Sequence, residues 1–118
     1  MIVDVHSHAW EYPRHFTDDF RQQAKRAKAG VELDLTVRLS EYLESASTAD
    51  WTIVFGGKAR LCGLWVDDQY VADYVAKAPD RLIGYLSLDP TQNGWQDEMR
   101  QGHQELGLRG IKLMPMYA

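Results

Sequence analysis

Ile2-Val3-Asp4-Val5-His6-Ser7-His8 is a short, β-branched run that ends in two histidines one residue apart. Residues i and i+2 of a strand point to the same side. A strand ending here therefore sets both imidazoles on one face at its C-terminal end. Neutral imidazole nitrogens are ordinary zinc donors, at about 2.0–2.1 Å. A bare His-x-His also has a bland reading, two unrelated polar residues at a loop entrance. Its place at the close of the first apolar run favours the ligand reading. Asp4 has the same strand parity as the histidines, so it is read either as an acid paired locally or as a group that orients a ligand histidine from behind by a hydrogen bond.

Outward from this run the punctuation sets the elements. Strand 1 is expected over residues 2–6. Thr17 can cap a helix that begins at Asp18; two acids open it, Lys25, Arg26 and Lys28 close it, and Gly30 stops it, the charge order that suits a helix dipole. A second helix fits residues 37–47, with Leu39, Tyr42, Leu43 and Ala46 at helical spacing. Trp51-Thr52-Ile53-Val54-Phe55 reads as a strand ended by Gly56-Gly57, and residues 58–66 as a loop. Asp67 is placed to cap a helix over about 68–78, whose buried stripe is Tyr70, Val71, Tyr74, Val75 and Ala78. Residues 82–88 form the third strand, turned by Asp89-Pro90. A helix from about Asn93 carries Trp95, Met99, His103 and Leu106 on one side, and residues 110–114 form the fourth strand before Pro115. Short apolar strands alternating with helices argue for an α/β fold with a parallel sheet and right-handed crossovers.

Composition excludes several functions. With 118 residues the chain suits one domain with a modest core. A net charge of −4 gives no electrostatic footprint for nucleic acid. No apolar run approaches the roughly 20 residues of a membrane helix, and the opening Met1-Ile2-Val3-Asp4 lacks the basic start of a signal peptide. The one cysteine, Cys62, rules out an intramolecular disulfide and fits a reducing compartment, so the expected location is cytoplasmic.

The opening motif resembles the start of the amidohydrolase superfamily, whose (β/α)8 barrel has His-x-His at the end of its first strand. TatD-like nucleases and PHP phosphoesterases begin similarly. Two later segments separate them. Residues 74–85 read Tyr-Val-Ala-Lys-Ala-Pro-Asp-Arg-Leu-Ile-Gly-Tyr and are followed by Ser87-Leu88-Asp89-Pro90; residues 105–113 read Glu-Leu-Gly-Leu-Arg-Gly-Ile-Lys-Leu. These are similar to the end of helix 2, strand 3 and strand 4 of the amidohydrolase-related group that includes aminocarboxymuconate-semialdehyde decarboxylase. The match is looser over residues 9–50.

That resemblance implies a metal-dependent hydrolase of TIM-barrel type, acting on a small carbonyl or carboxylate compound, or a non-oxidative decarboxylase using the same cradle. His6 and His8 match metal ligands, and the implied cofactor is a divalent ion, most often zinc. Further ligands and the catalytic base come in the family from strands 5, 6 and 8. A complete barrel needs roughly 250 residues, so the expectation is a single partial barrel domain over residues 1–118, strands 1–4, truncated after strand 4. The stretch after strand 1 lies over the pocket in the family, which makes Trp10, Tyr12, Arg14 and His15 candidates for substrate contact, Arg14 by a bidentate pair with a carboxylate. Asp89 ends strand 3 at the catalytic face of such barrels; it is read either as a substrate contact or as a turn-forming residue. Lys112 sits where some amidohydrolases carry a metal-bridging lysine, but this group usually lacks that ligand, so a structural lysine facing the barrel mouth is the expectation. His103 is read as a helix-surface residue, and Cys62 as a packing or exposed residue, without a nucleophilic role.

Four parallel strands leave two open edges and an uncovered apolar face, which drive pairing. The chain alone is therefore expected to form a homo-oligomer, one solution being two copies closed about a twofold axis. A half-barrel that associates without catalysis is the alternative of another class.

Overall fold

In the computed structural model, which describes residues 1–115, the expected alternation is present. β1 (Val3–His8), β2 (Trp51–Phe55), β5 (Leu82–Leu88) and β6 (Ile111–Leu113) form a curled, four-stranded, all-parallel sheet in sequential order β1-β2-β5-β6. A two-stranded antiparallel pair, β3 (Lys58–Ala59) and β4 (Leu64–Trp65), interrupts the segment expected to be a loop. The pair is two residues per strand, too short for a period to register in the sequence. The helices are α1 (Asp18–Ala27), α2 (Leu39–Ser45), α3 (Asp68–Ala76) and α4 (Trp95–Gln104). No helix among the described residues is long and apolar enough to cross a membrane.

The local rules worked where the signals were chemical. Thr17 accepts a hydrogen bond from Phe20 N at 3.3 Å and starts α1. Ala29 and Gly30 both take left-handed backbone angles and end the excursion after it. Gly63 also has a positive φ, and a Cβ there would stand 2.0 Å from Thr17 Oγ1, so only glycine lets the β3–β4 turn press on the cap of α1. Asp67 occupies the cap position of α3 but makes no side-chain cap bond. α2 and α3 are shorter than expected, as frayed ends often are.

The core lies between the sheet and its helices. Leu86 packs with Val71, Leu108 and Val66, while Val54 packs with Ala9, Tyr74, Ala78 and Leu82. The two outer strands keep apolar side chains in solvent, as open edges require. Val3 and Val5 on β1 are 41% and 64% exposed, and Ile111 and Leu113 on β6 are 47% and 51% exposed.

One buried network was invisible in the sequence. The Lys58 ammonium, 4% exposed, lies 2.8 Å from Asp68 Oδ2 and 2.8 Å from Glu98 Oε2. Asp68 Oδ1 also accepts from Ser87 N at 3.0 Å. One lysine thus ties β3 to the first turns of α3 and α4 and, through Asp68, to β5. Burial pushes the Asp68 carboxyl above its ordinary value, against the pull of Lys58. Lys58→Met strands two carboxylates with no cation between them. It is expected to lower unfolding stability by about 3–5 kcal/mol in urea denaturation, the usual cost of breaking a buried pair from one side; a loss below about 1 kcal/mol would rank the network with exposed pairs.

Candidate functional site

The histidines sit at the C-terminal end of β1, and an irregularity in that strand decides where they point. Asp4 pairs with Thr52 and Ser7 with Val54, so three steps on β1 match two on β2. The extra residue breaks the strand's alternation. Asp4 and Ser7 consequently face the same side, toward α2. Asp4 Oδ2 accepts from the Tyr42 hydroxyl at 3.0 Å and from the Ser7 hydroxyl at 3.0 Å, and the two hydroxyls are 2.5 Å apart. The equal parity of Asp4 with His6 and His8 therefore does not hold. The Asp4 carboxylate reaches the histidine segment through the backbone, with Oδ1 accepting from His6 N at 3.1 Å. These bonds hold the Asp4 carboxyl below its ordinary value, the His6 N–H foremost.

On the opposite face the two imidazoles come together, with ring centroids 5.3 Å apart. Phe55, at the end of β2, sets an edge contact to each, at 5.2 Å to His6 and 4.8 Å to His8. Trp10 stacks on His8 at 4.3 Å with the planes 20° apart. From β6, the Lys112 ammonium lies 4.5 Å from the centre of the Phe55 ring. Phe55 is thus the floor on which two imidazoles and one ammonium gather.

The protonation of His8 follows from its neighbour. Its Nδ1 lies 2.7 Å from the Gly56 carbonyl oxygen, which can only accept, so Nδ1 carries the proton and Nε2 keeps the lone pair. Burial lowers the His8 pKa below its ordinary value, and the nearby His6 and Lys112 add to this against the Gly56 bond. His8 is neutral at pH 7, with the tautomer that a metal ligand requires.

The other candidates separate. Trp10 belongs to the cluster. Its carbonyl accepts from Val37 N at 3.1 Å, and Tyr12 N donates to Thr36 Oγ1 at 2.9 Å, so the long excursion is pinned back beside the site. Arg14 is instead exposed, 3.4 Å from Glu11 and over the ring of Tyr70. Asp89 is 1% exposed, and both its oxygens are taken: Oδ2 by Arg60 N at 2.7 Å, Oδ1 by Thr91 N at 3.0 Å and Oγ1 at 2.6 Å. This is the turn-forming role, and it also fastens β3 to the end of β5. His103, at the solvent face of α4, donates Nδ1–H to Leu108 O at 3.1 Å. Lys112 joins the histidines through Phe55, which the sequence did not reveal because the contact spans β2 and β6.

The donor set tests the fit of a metal. Two imidazoles on one face, one locked in the right tautomer, fit two positions of a zinc centre. Stable centres use three or four protein ligands, and among the described residues no group of three or more His, Cys, Asp or Glu gathers in one place. The described chain thus offers half a coordination shell. Comparison with known proteins adds no label to this geometry, since neither a family model nor a curated protein matches the chain.

Because the folded pKa of His8 is depressed, the fold favours its neutral form. That contribution is present above the unfolded value near 6.5 and is lost as pH falls through the folded value. An NMR titration of the metal-free chain should place the His8 midpoint below the ordinary histidine value near 6.5. His8→Gln should flatten the loss of stability below about pH 6.5; an unshifted His8 midpoint would contradict the buried placement.

Proposed function

We propose that this chain is the N-terminal half of a metal-dependent (β/α)8 barrel of the amidohydrolase superfamily, in the amidohydrolase-related group, and that its site serves hydrolysis of a small carbonyl or carboxylate compound. The observation that carries the reading is the His6–His8 pair at the C-terminal end of the first strand, with the Nδ1–H of His8 held by Gly56 O. In barrels of this kind chemistry gathers at that end of the strands. The sequential, all-parallel strand order supports it as well.

His6 and His8 would hold the divalent ion, zinc being the natural choice for two imidazoles. When bound, such an ion supplies Lewis-acid polarisation and acidifies water at neutral pH. The chain's own residues do the positioning. Gly56 O fixes the His8 ring, Trp10 covers one of its faces, and Phe55 keeps the floor dry. Lys112 brings a positive charge beside that floor, suited to a substrate carboxylate or to negative charge developing on a carbonyl oxygen. The same arrangement suits decarboxylation, in which a carboxylate must be bound before it leaves. With one cysteine in the chain, the proposal places the protein in the cytoplasm.

A second reading, association without catalysis, is favoured by a separate observation. The exposed valines lie on β1 and the exposed Ile111 and Leu113 on β6, the two edges of the sheet. A second copy with its β1 beside this β6 would cover them.

Calorimetric titration with zinc tests the first reading. We expect weak binding by the wild-type chain, with affinity lost in a His6→Ala/His8→Ala variant; equal affinity in that variant would sink the assignment. Sedimentation tests the second: a dimer at micromolar concentration is expected, and a monomer rules out closure by a second copy.

A further inference from the structure

Residues 28–38 join α1 to α2 with neither helix nor strand. Residues 28–34 are exposed throughout, Val31 and Leu33 included, and residues 35–37 are half-buried. Little apolar burial therefore holds this segment down. A cavity of about 250 Å³ lies beneath it, walled by Leu33 and Leu35 on one side and by Tyr12 and Ala24 on the other. The segment thus spans a gap beside α1 instead of packing on the helix. The left-handed Ala29 and Gly30 stand at one end, and Arg38, the cap residue of α2, stands at the other, paired with Asp34 at 2.7 Å. Element ends of this kind are where hinges form.

What ties the segment to the fold is polar. Glu32 Oε1 accepts from the Tyr12 hydroxyl and from Arg21 at 3.0 Å. Arg21 Nε also donates to the Tyr12 hydroxyl oxygen at 3.2 Å, and its guanidinium lies 5.4 Å from the centre of the Tyr12 ring. Further along, Thr36 Oγ1 accepts from Tyr12 N at 2.9 Å, and Val37 N donates to Trp10 O at 3.1 Å. The Arg21 and Glu32 side chains are 31% and 47% exposed. An ion pair exposed to that degree shifts an equilibrium by about fivefold at most.

These ties converge on the residues that follow β1. Ala9 is fully buried and its N–H donates to Phe55 O at 2.9 Å, so the sheet fixes the chain up to that point. Beyond it, Trp10 O and Tyr12 N are bonded to the strap, and the Trp10 indole is the ring stacked on His8 at 4.3 Å. We propose that residues 29–38 are a strap that opens as a unit, and that its latch, Glu32 on Tyr12 and Arg21, keeps Trp10 seated on the His8 ring. Opening the strap frees the indole and uncovers His8. Glu32, Tyr12 and Arg21 are then positioning residues, acting through Trp10. That the strap gates a working site rests on the reading of His6 and His8 given above; the opening itself does not.

Native-state hydrogen exchange of the metal-free, ¹⁵N-labelled full chain tests the opening. Lightly held segments open well before the whole fold does. Tyr12 N–H and Val37 N–H should therefore exchange together, well ahead of Ala9 N–H and Leu86 N–H, which are bonded within the sheet to Phe55 O and Gly110 O. Glu32→Ala should quicken both strap amides by about fivefold and leave Leu86 unchanged. The second measurement is the rate at which diethyl pyrocarbonate acylates His8, read by mass spectrometry against the exposed His103. Glu32→Ala should raise that rate by about fivefold, and should add nothing once Trp10→Ala is present, because the latch acts through the indole. Equal protection of Val37 and Leu86, unequal responses of Tyr12 and Val37 to Glu32→Ala, or the same gain in His8 acylation with and without Trp10 would each overturn the proposal. The exchange measurement requires no change at Trp10, so it decides even where Trp10→Ala fails to fold. Neither measurement uses a metal: failure of zinc binding would sink the catalytic reading alone, and a strap that stays shut would sink this proposal alone.

Discussion

A strand alternates its side chains, and β1 breaks that alternation once. The extra residue between Asp4 and Ser7 sends the two polar residues to Tyr42 on one face and the two imidazoles to Phe55 on the other. Without it, Asp4 would share a face with His6 and His8, and its carboxylate would lie among the imidazoles rather than against α2. The bulge therefore does two jobs with one residue. It anchors α2 to the sheet through the Asp4–Ser7–Tyr42 bonds, and it clears the histidine face of competing charge.

That face is then arranged by aromatic rings. Phe55 meets both histidines edge-on, Trp10 stacks on His8, and Lys112 rests over Phe55. An aromatic floor is apolar to water yet attractive to a cation, since the ring face is electron-rich. It lowers the His8 pKa by burial while still holding an ammonium nearby. The Lys58 network performs the comparable task on the helical side, joining β3, α3 and α4 through one charge.

What could be read in the sequence was what depended on near neighbours. The cap at Thr17, the strands at 51–55 and 82–88, and the histidine pair all came from local spacing. The bulge did not, because parity arguments assume unbroken pairing and pairing is set by the neighbouring strand. Lys58 read as a loop residue because its partners lie 10 and 40 positions away. Asp89 was divided between two roles until Arg60 N and Thr91 were seen to take both its oxygens.

The two open edges differ in a way that bears on how copies would add. Ile111 and Leu113 pair in register with Leu86 and Leu88, whose side chains join the helix-side core, whereas Val3 and Val5 alternate with Asp4, which faces α2. Contact of β6 with a neighbour's β1 is head-to-tail, and such a contact ends only if rotation brings the last edge back to the first. Sufficient curvature gives a closed ring of two; a slightly flatter sheet gives a filament that grows without limit, so the radius of the sheet alone separates a soluble particle from a fibre.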